Sequence, residues 1–210
     1  MNPAPIITTY AIRRQVTEAA NTLPVSVGDV MDFLRLTAAN QETPVENMIK
    51  AAVAELEQYC WRQFMECEMD AYYPIPEAVK NGIWSGTYLR LELNGCPIQS
   101  VDNVKYYDQN GTLQTMSASD YVVEMDLEPA IITITNVPTF DYNRAAPLIV
   151  HFYGGWTSAA LVPDPIKHAI MIRVGTLYEM RQEVNIGSSV NEIPMTVKRL
   201  LTNYRLNKPQ

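Results

Sequence analysis

The sequence predicts a mixed α+β fold, in which an antiparallel bundle of about four helices is interrupted by an antiparallel β-rich insertion. Apolar residues recur with a helical period toward both ends of the chain, whereas in the middle they alternate with polar residues. Turn signals separate the alternating runs, which favours local hairpins. The prediction divides the chain into an extended arm (1–25), a discontinuous helical bundle (26–64 and 159–206), the β-rich insertion (65–158) and a C-terminal tail (207–210).

The arm is rich in proline and shows no sustained period, so we expect an extended segment without a core of its own. The first helix is predicted from Ser26 as the cap, with Asp29 three residues later to complete a capping box. The second helix is predicted from Thr43 as the cap and Pro44 as the first helical residue, and it runs to about Trp61.

About seven strands are predicted in the insertion. Alternation is clearest in CEMDA (67–71) and in YLRLEL (88–93), which indicate half-buried strands. The pair Asn110-Gly111 predicts a hairpin turn between two further strand-like runs. Local hairpins favour an antiparallel sheet or a small barrel.

A third helix is predicted where Asp164 caps and Pro165 takes the first helical position, and it runs to about Glu183. Its apolar residues spread over roughly 200°, whereas a helix lying on one core needs a stripe only somewhat wider than about 100°. Ile172 falls outside even that arc. We therefore ask what covers a second face of this helix. A last helix is predicted from around Pro194.

Composition excludes several functional classes. The net charge of -7 argues against a protein that wraps nucleic acid, because neutralising phosphates requires clustered Lys and Arg. The three cysteines form no C-x-x-C pair, which favours a reducing compartment over a disulfide framework. No stretch approaches the ~18 apolar residues of a membrane span, so we expect a soluble protein without a signal peptide.

The sequence contains no recognisable catalytic motif, and we expect neither an enzyme, nor a cofactor, nor a metal site. His151 and His168 have no nearby residues at metal-ligand spacing and are interpreted as ordinary neutral histidines. The cysteines are interpreted as packing residues, with a reactive thiol at Cys96, before Pro97, as the alternative.

Glu66, Glu68 and Asp70 occupy alternate positions of a predicted strand, so their carboxylates share one face at intervals of about 6.5 to 7 Å. One strand alone is too widely spaced to chelate an ion, although a neighbouring strand could complete a site. Three interpretations stay open, namely a solvated outer face, a metal site and a surface that repels an anion.

The C-terminal region is basic, since four cations and no acidic residue follow Met195. Such cations can complement the dipole of a helix at its C-terminus, or they can dock on a partner, and the sequence leaves both interpretations open. We expect the end of the chain from about Tyr204 to fray by itself, because Leu206 is its one apolar residue and Pro209 discourages further helix.

The order and spacing of several segments resemble those of the head-tail connector, or adaptor, proteins of tailed bacteriophages. The resemblance covers most of the chain from Val25 onward, although no single motif in it is specific. The arm before Val25 and the region 72–86 have no clear counterpart. The matching segments are VSVGDVMDFLRL (25–36), ENMIKAAVAELEQYCWRQF (46–64), Pro97-Ile98 with SVDNVKYYDQNG (97–111), VPDPIKHAIMIRVGTLYEMR (162–181) and IPMTVKRLLTNYR (193–205).

Proteins of this family are helical bundles, sometimes with a β insertion, that form a ring, usually of about twelve subunits, beneath the portal. The resemblance therefore implies a structural virion protein that extends the DNA channel and joins the capsid to the tail. The implied partners are the portal protein, further copies of the chain, and a tail or stopper protein below the ring. DNA would pass through without specific binding. The implied location is the head-tail interface of the virion, after folding and assembly in the host bacterial cytoplasm.

The resemblance also implies candidate contact residues. In a ring, the wide arc of the third helix would be shared between the core and a neighbour, with Met171, Ile172 and Tyr178 at the subunit boundary. Arg173, inside this arc, would then need a carboxylate or carbonyl partner. The C-terminal segment of the family commonly docks on the portal. The portal-contact candidates are Arg199, Tyr204, Arg205 and Leu206.

An alternative from another class remains, namely a soluble ligand- or metal-binding module whose site lies in the β insertion. Assembly distinguishes the two functions. A connector should form rings or bind a portal, whereas a binding module would stay monomeric or dimeric and would respond to its ligand.

Overall fold

The computed structural model describes residues 6–37, 41–81, 88–95, 97–180 and 193–206. In these ranges the chain forms nine strands and five helices. The strands are β1 Ile6–Tyr10, β2 Arg13–Glu18, β3 Cys67–Tyr73, β4 Tyr88–Leu93, β5 Ile98–Tyr107, β6 Leu113–Thr115, β7 Tyr121–Glu124, β8 Ala130–Ile134 and β9 Leu148–Gly154. The helices are α1 Val27–Phe33, α2 Glu42–Cys60, α3 Glu77–Lys80, α4 Asp164–Glu179 and α5 Met195–Leu201.

The predicted fold class, a helical bundle interrupted by an antiparallel insertion, is wrong. The nine described strands form a four-stranded sheet in the order β1-β4-β8-β7 and a five-stranded sheet in the order β2-β3-β9-β5-β6. The pairing of β1 with β4 is parallel, and the other strand pairings are antiparallel. The two sheets are a major part of the fold, and they include β1 and β2 from near the N-terminus. The β structure is therefore more than an insertion into a helical bundle.

The segment that the sequence analysis described as an arm explains much of this difference. Residues 6–18 form β1 and β2, each of which pairs with a strand more than fifty residues later in the chain. Strand β2 is exposed at nearly every position, so it shows no alternation of polarity. A parallel pair such as β1 and β4 joins distant segments, which leaves no local hairpin signal.

The described residues divide into two compact units. The β unit contains residues 6–19 and 66–155, and the helical unit contains residues 20–65 and 156–206. In the β unit the inward faces of both sheets supply one apolar core, which follows from the alternation along each strand. Its largest fully buried side chains are Tyr73, Phe140, Phe152, Met69, Leu89, Leu91, Leu93, Ile132 and Ile134.

The helical unit has its own core, in which α2 and α4 contribute apolar residues at helical spacing. The predicted start of α1 is confirmed, because Ser26 Oγ accepts a hydrogen bond from the Asp29 amide at 3.0 Å. The predicted caps of α2 and α4 are wrong. Helix α2 already begins at Glu42, without a side-chain cap, and α4 begins at Asp164 after Pro163. The predicted end of α4 near Glu183 lies outside the described residues.

The predicted Asn110-Gly111 turn is confirmed between β5 and β6. Gly111 adopts a φ of 74°, a backbone conformation that side chains rarely tolerate. The Asp108 carboxylate accepts hydrogen bonds from the amides of Asn110 and Thr112 at 2.9 and 3.0 Å, which closes the turn. This turn fixes β6 at the edge of the five-stranded sheet.

Candidate interaction surfaces

Other helices of the helical unit cover more than one face of α4. It packs against α1, α2 and α5. Met171, Ile172 and Leu177 are partly buried against the same core as the main stripe. Much of the wide apolar arc is therefore explained by neighbouring helices of the same chain. The buried positions of α4 are Ile166, Ala169, Ile170, Arg173 and Val174.

The three predicted subunit-boundary residues stay partly exposed. Met171 and Ile172 lie against the helical core, whereas Tyr178 lies near the C-terminal end of α4 and is partly buried. The three residues lie within about two turns of α4, with Met171 and Tyr178 on nearly the same side and Ile172 about 100° around the helix axis from Met171.

The C-terminal end of α1 packs against α4. The Phe33 ring meets His168 edge-on, with 6.0 Å between the ring centroids. A Cβ atom built on Gly175 would lie 3.5 Å from Leu34 Cδ2, so the two helices approach closely there. His168 is thus part of a packing contact in the described structure.

Arg173 has the carboxylate partner that its position in the apolar arc requires. Its side chain is buried, and it donates hydrogen bonds to Glu55 from Nε at 2.5 Å and from Nη2 at 3.0 Å. Such a two-point contact fits the planar guanidinium group. The pair joins α4 to α2.

The C-terminal candidates lie against the end of α2. The Tyr204 carbonyl accepts a hydrogen bond from Arg62 Nε at 3.0 Å, and the Leu206 amide donates one to the Cys60 carbonyl at 3.0 Å. The Arg205 guanidinium lies 5.0 Å from the centroid of the Tyr59 ring.

The expectation that the chain frays from Tyr204 is therefore wrong for residues 204–206. The Leu206 amide satisfies the Cys60 carbonyl at the end of α2, where helix carbonyls otherwise lack partners, and the Tyr204 carbonyl accepts from the Arg62 side chain. Arg199 lies in the last turn of α5 and is exposed, and Arg205 is exposed as well. The tail, residues 207–210, with Lys208 and Pro209, lies outside the described residues.

A partly buried acid, Glu57, lies near this contact. Burial raises the pKa of Glu57 to about 7, and this effect outweighs a hydrogen bond from the Phe64 amide at 2.7 Å, which lowers it. Burial also raises the pKa of the nearby Cys60 thiol to about 11. A thiol in this state is a poor nucleophile, in agreement with its interpretation as a packing residue. Cys96, the alternative reactive thiol, lies outside the described residues.

In the β unit, His151 lies between two of the three acidic residues that the sequence singled out. Its Nε2 is 2.8 Å from Glu68 Oε1, and its Nδ1 is 2.7 Å from Asp70 Oδ1. The contact follows from the strand register, in which Asp70 is directly opposite His151. Sequence analysis missed this cluster, because the pairing of β3 with β9 joins segments about eighty residues apart.

The His151 cluster does not have the geometry of a metal site, since both ring nitrogens already face carboxylate oxygens. In the ranges that the structure describes, no group of three or more His, Cys, Asp and Glu residues is arranged to hold a metal ion. None of the described helices combines the length and apolar character that a bilayer crossing requires.

Comparison with known proteins finds the same fold in a phage-like particle. No protein family and no curated protein sequence matches this chain. A solved structure described as the neck of an empty GTA particle, computed with C6 symmetry, is similar with a TM-score of 0.71 and 16% identity, covering 95% of this chain and 98% of that chain. A chain from the virion of a native gene transfer agent particle has a TM-score of 0.70 and 15% identity over 95% and 98% of the two chains.

A third chain, from the neck of a native GTA particle computed with C12 symmetry, has a TM-score of 0.63 and 15% identity, covering 93% of this chain and 97% of that chain. At these identities the likeness shows a shared fold. It extends over nearly the whole length of both chains, so it includes the helices and both sheets.

Proposed function

We propose that this chain is a structural protein of the neck of a tailed phage or a phage-like particle. The observation that carries the proposal is the likeness of fold to neck chains, over 95% of this chain and 98% of the other. A match over the full length of both chains favours a shared role more than a match to one common subdomain would. The proposed location is the virion, after assembly in the cytoplasm of a bacterial host.

Within the neck, the proposed role is that of a head-tail connector. Copies of the chain form a closed ring beneath the portal, and a tail or stopper protein binds below. Two of the similar structures are particle necks computed with C6 and C12 symmetry, which supports a ring of about twelve copies here. The DNA channel continues through the ring, and the net charge of -7 favours passage without binding.

The portal-docking surface is proposed at the end of the helical unit. Arg199 and Arg205 are exposed cations that can pair with portal carboxylates, while Tyr204 and Leu206 are partly buried and can pack as anchors. The contacts of residues 204–206 with α2 hold the backbone of this segment in place before the portal arrives. Docking onto a preorganised surface loses less conformational entropy than docking of a frayed end.

The subunit boundary is proposed on the exposed remainder of α4, at Met171, Ile172 and Tyr178. Because Met171 and Ile172 already pack on their own core, a neighbour would cover only the part of each side chain that remains exposed. This makes α4 a modest contact, and a stable ring requires additional buried area between subunits.

Electron microscopy of the purified protein with the portal of the same particle tests the proposal. We expect rings of sixfold or twelvefold symmetry on the portal, and a mass by light scattering that corresponds to a closed ring. A chain that neither forms rings nor binds the portal, at any concentration used for particle assembly, would refute the connector role. A portal from an unrelated particle serves as the specificity control.

A further inference from the structure

Exposed apolar side chains of the β unit are concentrated in two short segments. Nine large apolar residues are exposed in the described part of this unit. Four lie in the first segment and four in the second, and the ninth, Tyr88, is the cross-strand partner of Ile6. Isolated exposed apolar residues are common, whereas clusters on strand edges indicate contact surfaces. The first set is Ile6, Tyr10, Ile12 and Val16, and the second is Leu113, Val122, Met125 and Leu127.

Among the described residues, the two segments form the outer edges of both sheets. Residues 6–18, which we call the N-terminal edge, supply β1 at one edge of the four-stranded sheet and β2 at one edge of the five-stranded sheet. Residues 113–128, which we call the β6–β7 edge, supply the opposite edge strand of each sheet. Edge strands present unpaired backbone groups that can accept another strand, and natural proteins usually protect them.

The charges of the two edges are complementary. The β6–β7 edge carries Asp120, Glu124, Asp126 and Glu128 and contains no Lys or Arg. The N-terminal edge carries Arg13 and Arg14 against the single acid Glu18. Acidic and apolar residues alternate from Glu124 to Glu128, and each of these five residues is exposed. The N-terminal edge is therefore basic, with Arg13 exposed and Arg14 partly buried, and an acidic, apolar strip lies at the other edge.

Contacts within the chain hold the basic residues of the N-terminal edge in place. The Arg14 guanidinium donates a hydrogen bond to the Asn94 carbonyl at 2.8 Å and lies where a Cβ atom of Gly95 would be. Arg13 is exposed, donates a hydrogen bond to Gln15 at 2.6 Å and lies 5.4 Å from the centroid of the Tyr72 ring. Arg13 is thus the exposed cation that an acidic partner can reach.

We propose that the β6–β7 edge of one molecule docks on the N-terminal edge of a second copy of the same chain. This inference rests on the proposed ring, and it adds a second contact between subunits to the one on α4. Because the two segments lie at opposite edges of each sheet, the contact is head-to-tail, the type that forms a closed ring when its rotation closes. Pairing of edge strands supplies backbone hydrogen bonds, and the apolar residues and charges select the partner.

Charge reversal in solution tests this contact. The variant Glu124→Arg/Asp126→Arg and the variant Arg13→Glu each place like charges on the two edges, which disfavours docking. We expect each to weaken self-association at least tenfold in sedimentation equilibrium. A single chain that carries all three substitutions restores the complementarity with reversed signs and should recover most of the association. The control Asp32→Arg/Glu42→Arg changes the net charge by the same amount as Glu124→Arg/Asp126→Arg, but at exposed sites of the helical unit. It should have little effect on self-association.

A mixing experiment then tests the head-to-tail direction. Leu127→Glu damages only the β6–β7 edge, and Ile12→Glu damages only the N-terminal edge. Each variant alone should self-associate at least tenfold more weakly than the wild type, whereas an equal mixture should form a 1:1 dimer through the two intact edges. Circular dichroism and the thermal midpoint identify a variant that fails to fold, and Leu127→Ser and Ile12→Ser then replace it.

The outcomes separate this inference from the proposed function. If the edge variants assemble on the portal into normal rings, or if the triple variant does not recover, the edges do not join subunits, although the chain can still be a connector. Association of the wild-type edges with a different neck protein, but not with each other, also overturns the inference. If wild-type chains form no ring and bind no portal, the connector role itself fails.

Discussion

Arg173 on α4 and Glu55 on α2 form a two-point ion pair, with Nε to Oε2 at 2.5 Å and Nη2 to Oε1 at 3.0 Å. Arg173 is 4% exposed, and the Glu55 side chain is 29% exposed. Among the described residues, Arg173 Nη1 has no hydrogen-bond partner. A buried pair of this kind contributes orientation between two helices more than it contributes net stability.

Removal of one partner should therefore be costly. We expect Glu55→Ala to lower the free energy of unfolding by about 3 kcal/mol, because it leaves a buried cation without its carboxylate. The double variant Glu55→Leu/Arg173→Met should be close to the wild type, since both charges are replaced by apolar groups. Urea denaturation of the wild type, both single variants and the double variant measures the coupling. Additive single effects would contradict the pairing.

A pH dependence should follow from Glu57. Burial raises its pKa from 4.5 to about 7, so the folded state binds a proton over a range in which the unfolded state has lost it. This contribution to stability is complete below about pH 4.5 and is lost as the pH rises through about 7. We expect its size to be roughly 2 kcal/mol or less, because the side chain is only partly buried.

The variant Glu57→Gln removes this titration but keeps an oxygen that can accept the hydrogen bond from the Phe64 amide. Its stability should match that of the wild type near pH 5 and exceed it near pH 8. Denaturation midpoints across this range provide the measurement, with Glu42→Gln as an exposed control. An unchanged slope in Glu57→Gln would show that another group causes the dependence.

Local signals predicted local structure correctly. The Ser26 cap and the Asn110-Gly111 turn were readable, because the residues that form each of them lie within four positions of each other. The carboxylate partner expected for Arg173 was also confirmed, although its identity as Glu55 was not predictable. Helix α2 was placed within two residues of its true start, but its cap was wrong.

Features that depend on pairing between distant segments were not predictable. The β-branched run IITT, residues 6–9, was a strand signal that nearby prolines concealed. No pattern within residues 6–18 indicates that β1 pairs in parallel with β4 or that β2 pairs with β3. The same limit hid the position of His151 between Glu68 and Asp70, since strand register requires the whole sheet.

The proposed subunit boundary on α4 makes Ile172 a suitable site for substitution. Ile172→Glu should weaken ring formation, because the carboxylate would be buried between subunits without a partner. It should also cost the monomer some stability, since Ile172 packs partly on its own core. Ile172→Ala removes the same apolar contact without adding charge and should lower ring yield less. Normal rings from Ile172→Glu, observed by electron microscopy, would move the boundary away from this side chain.

The acidic chain should bind duplex DNA weakly. With a net charge of -7, the chain has few cations to neutralise phosphates, so binding would release few counterions from the DNA. Weak binding also suits a channel through which the genome must slide. Fluorescence anisotropy with a labelled duplex should show negligible binding by the protein near physiological salt, in rings as well as in monomers. Tight binding that falls steeply as salt increases would show instead that the basic C-terminal region holds DNA.

At the C-terminal contact with α2, removal of the segment and reversal of its charges should have different effects on stability and on portal binding. Deletion of residues 204–210 removes the carbonyl that Arg62 Nε contacts and the amide that the Cys60 carbonyl contacts. Because Arg62 is 6% exposed, we expect the deletion to lower the free energy of unfolding by about 1 to 3 kcal/mol. Loss of portal binding by this variant would therefore be ambiguous.

Arg199→Glu/Arg205→Glu avoids that ambiguity, because both side chains are exposed and neither supplies those backbone contacts. Its thermal midpoint should stay near that of the wild type, since the dipole and ring contacts of exposed cations contribute only about 1 kcal/mol each. Portal affinity, measured by surface plasmon resonance, should fall at least tenfold and lose its salt dependence. The control Arg35→Glu/Lys50→Glu reverses two exposed cations elsewhere in the helical unit and should bind normally. Equal affinity of the double variant and the control would exclude these two arginines from the docking surface.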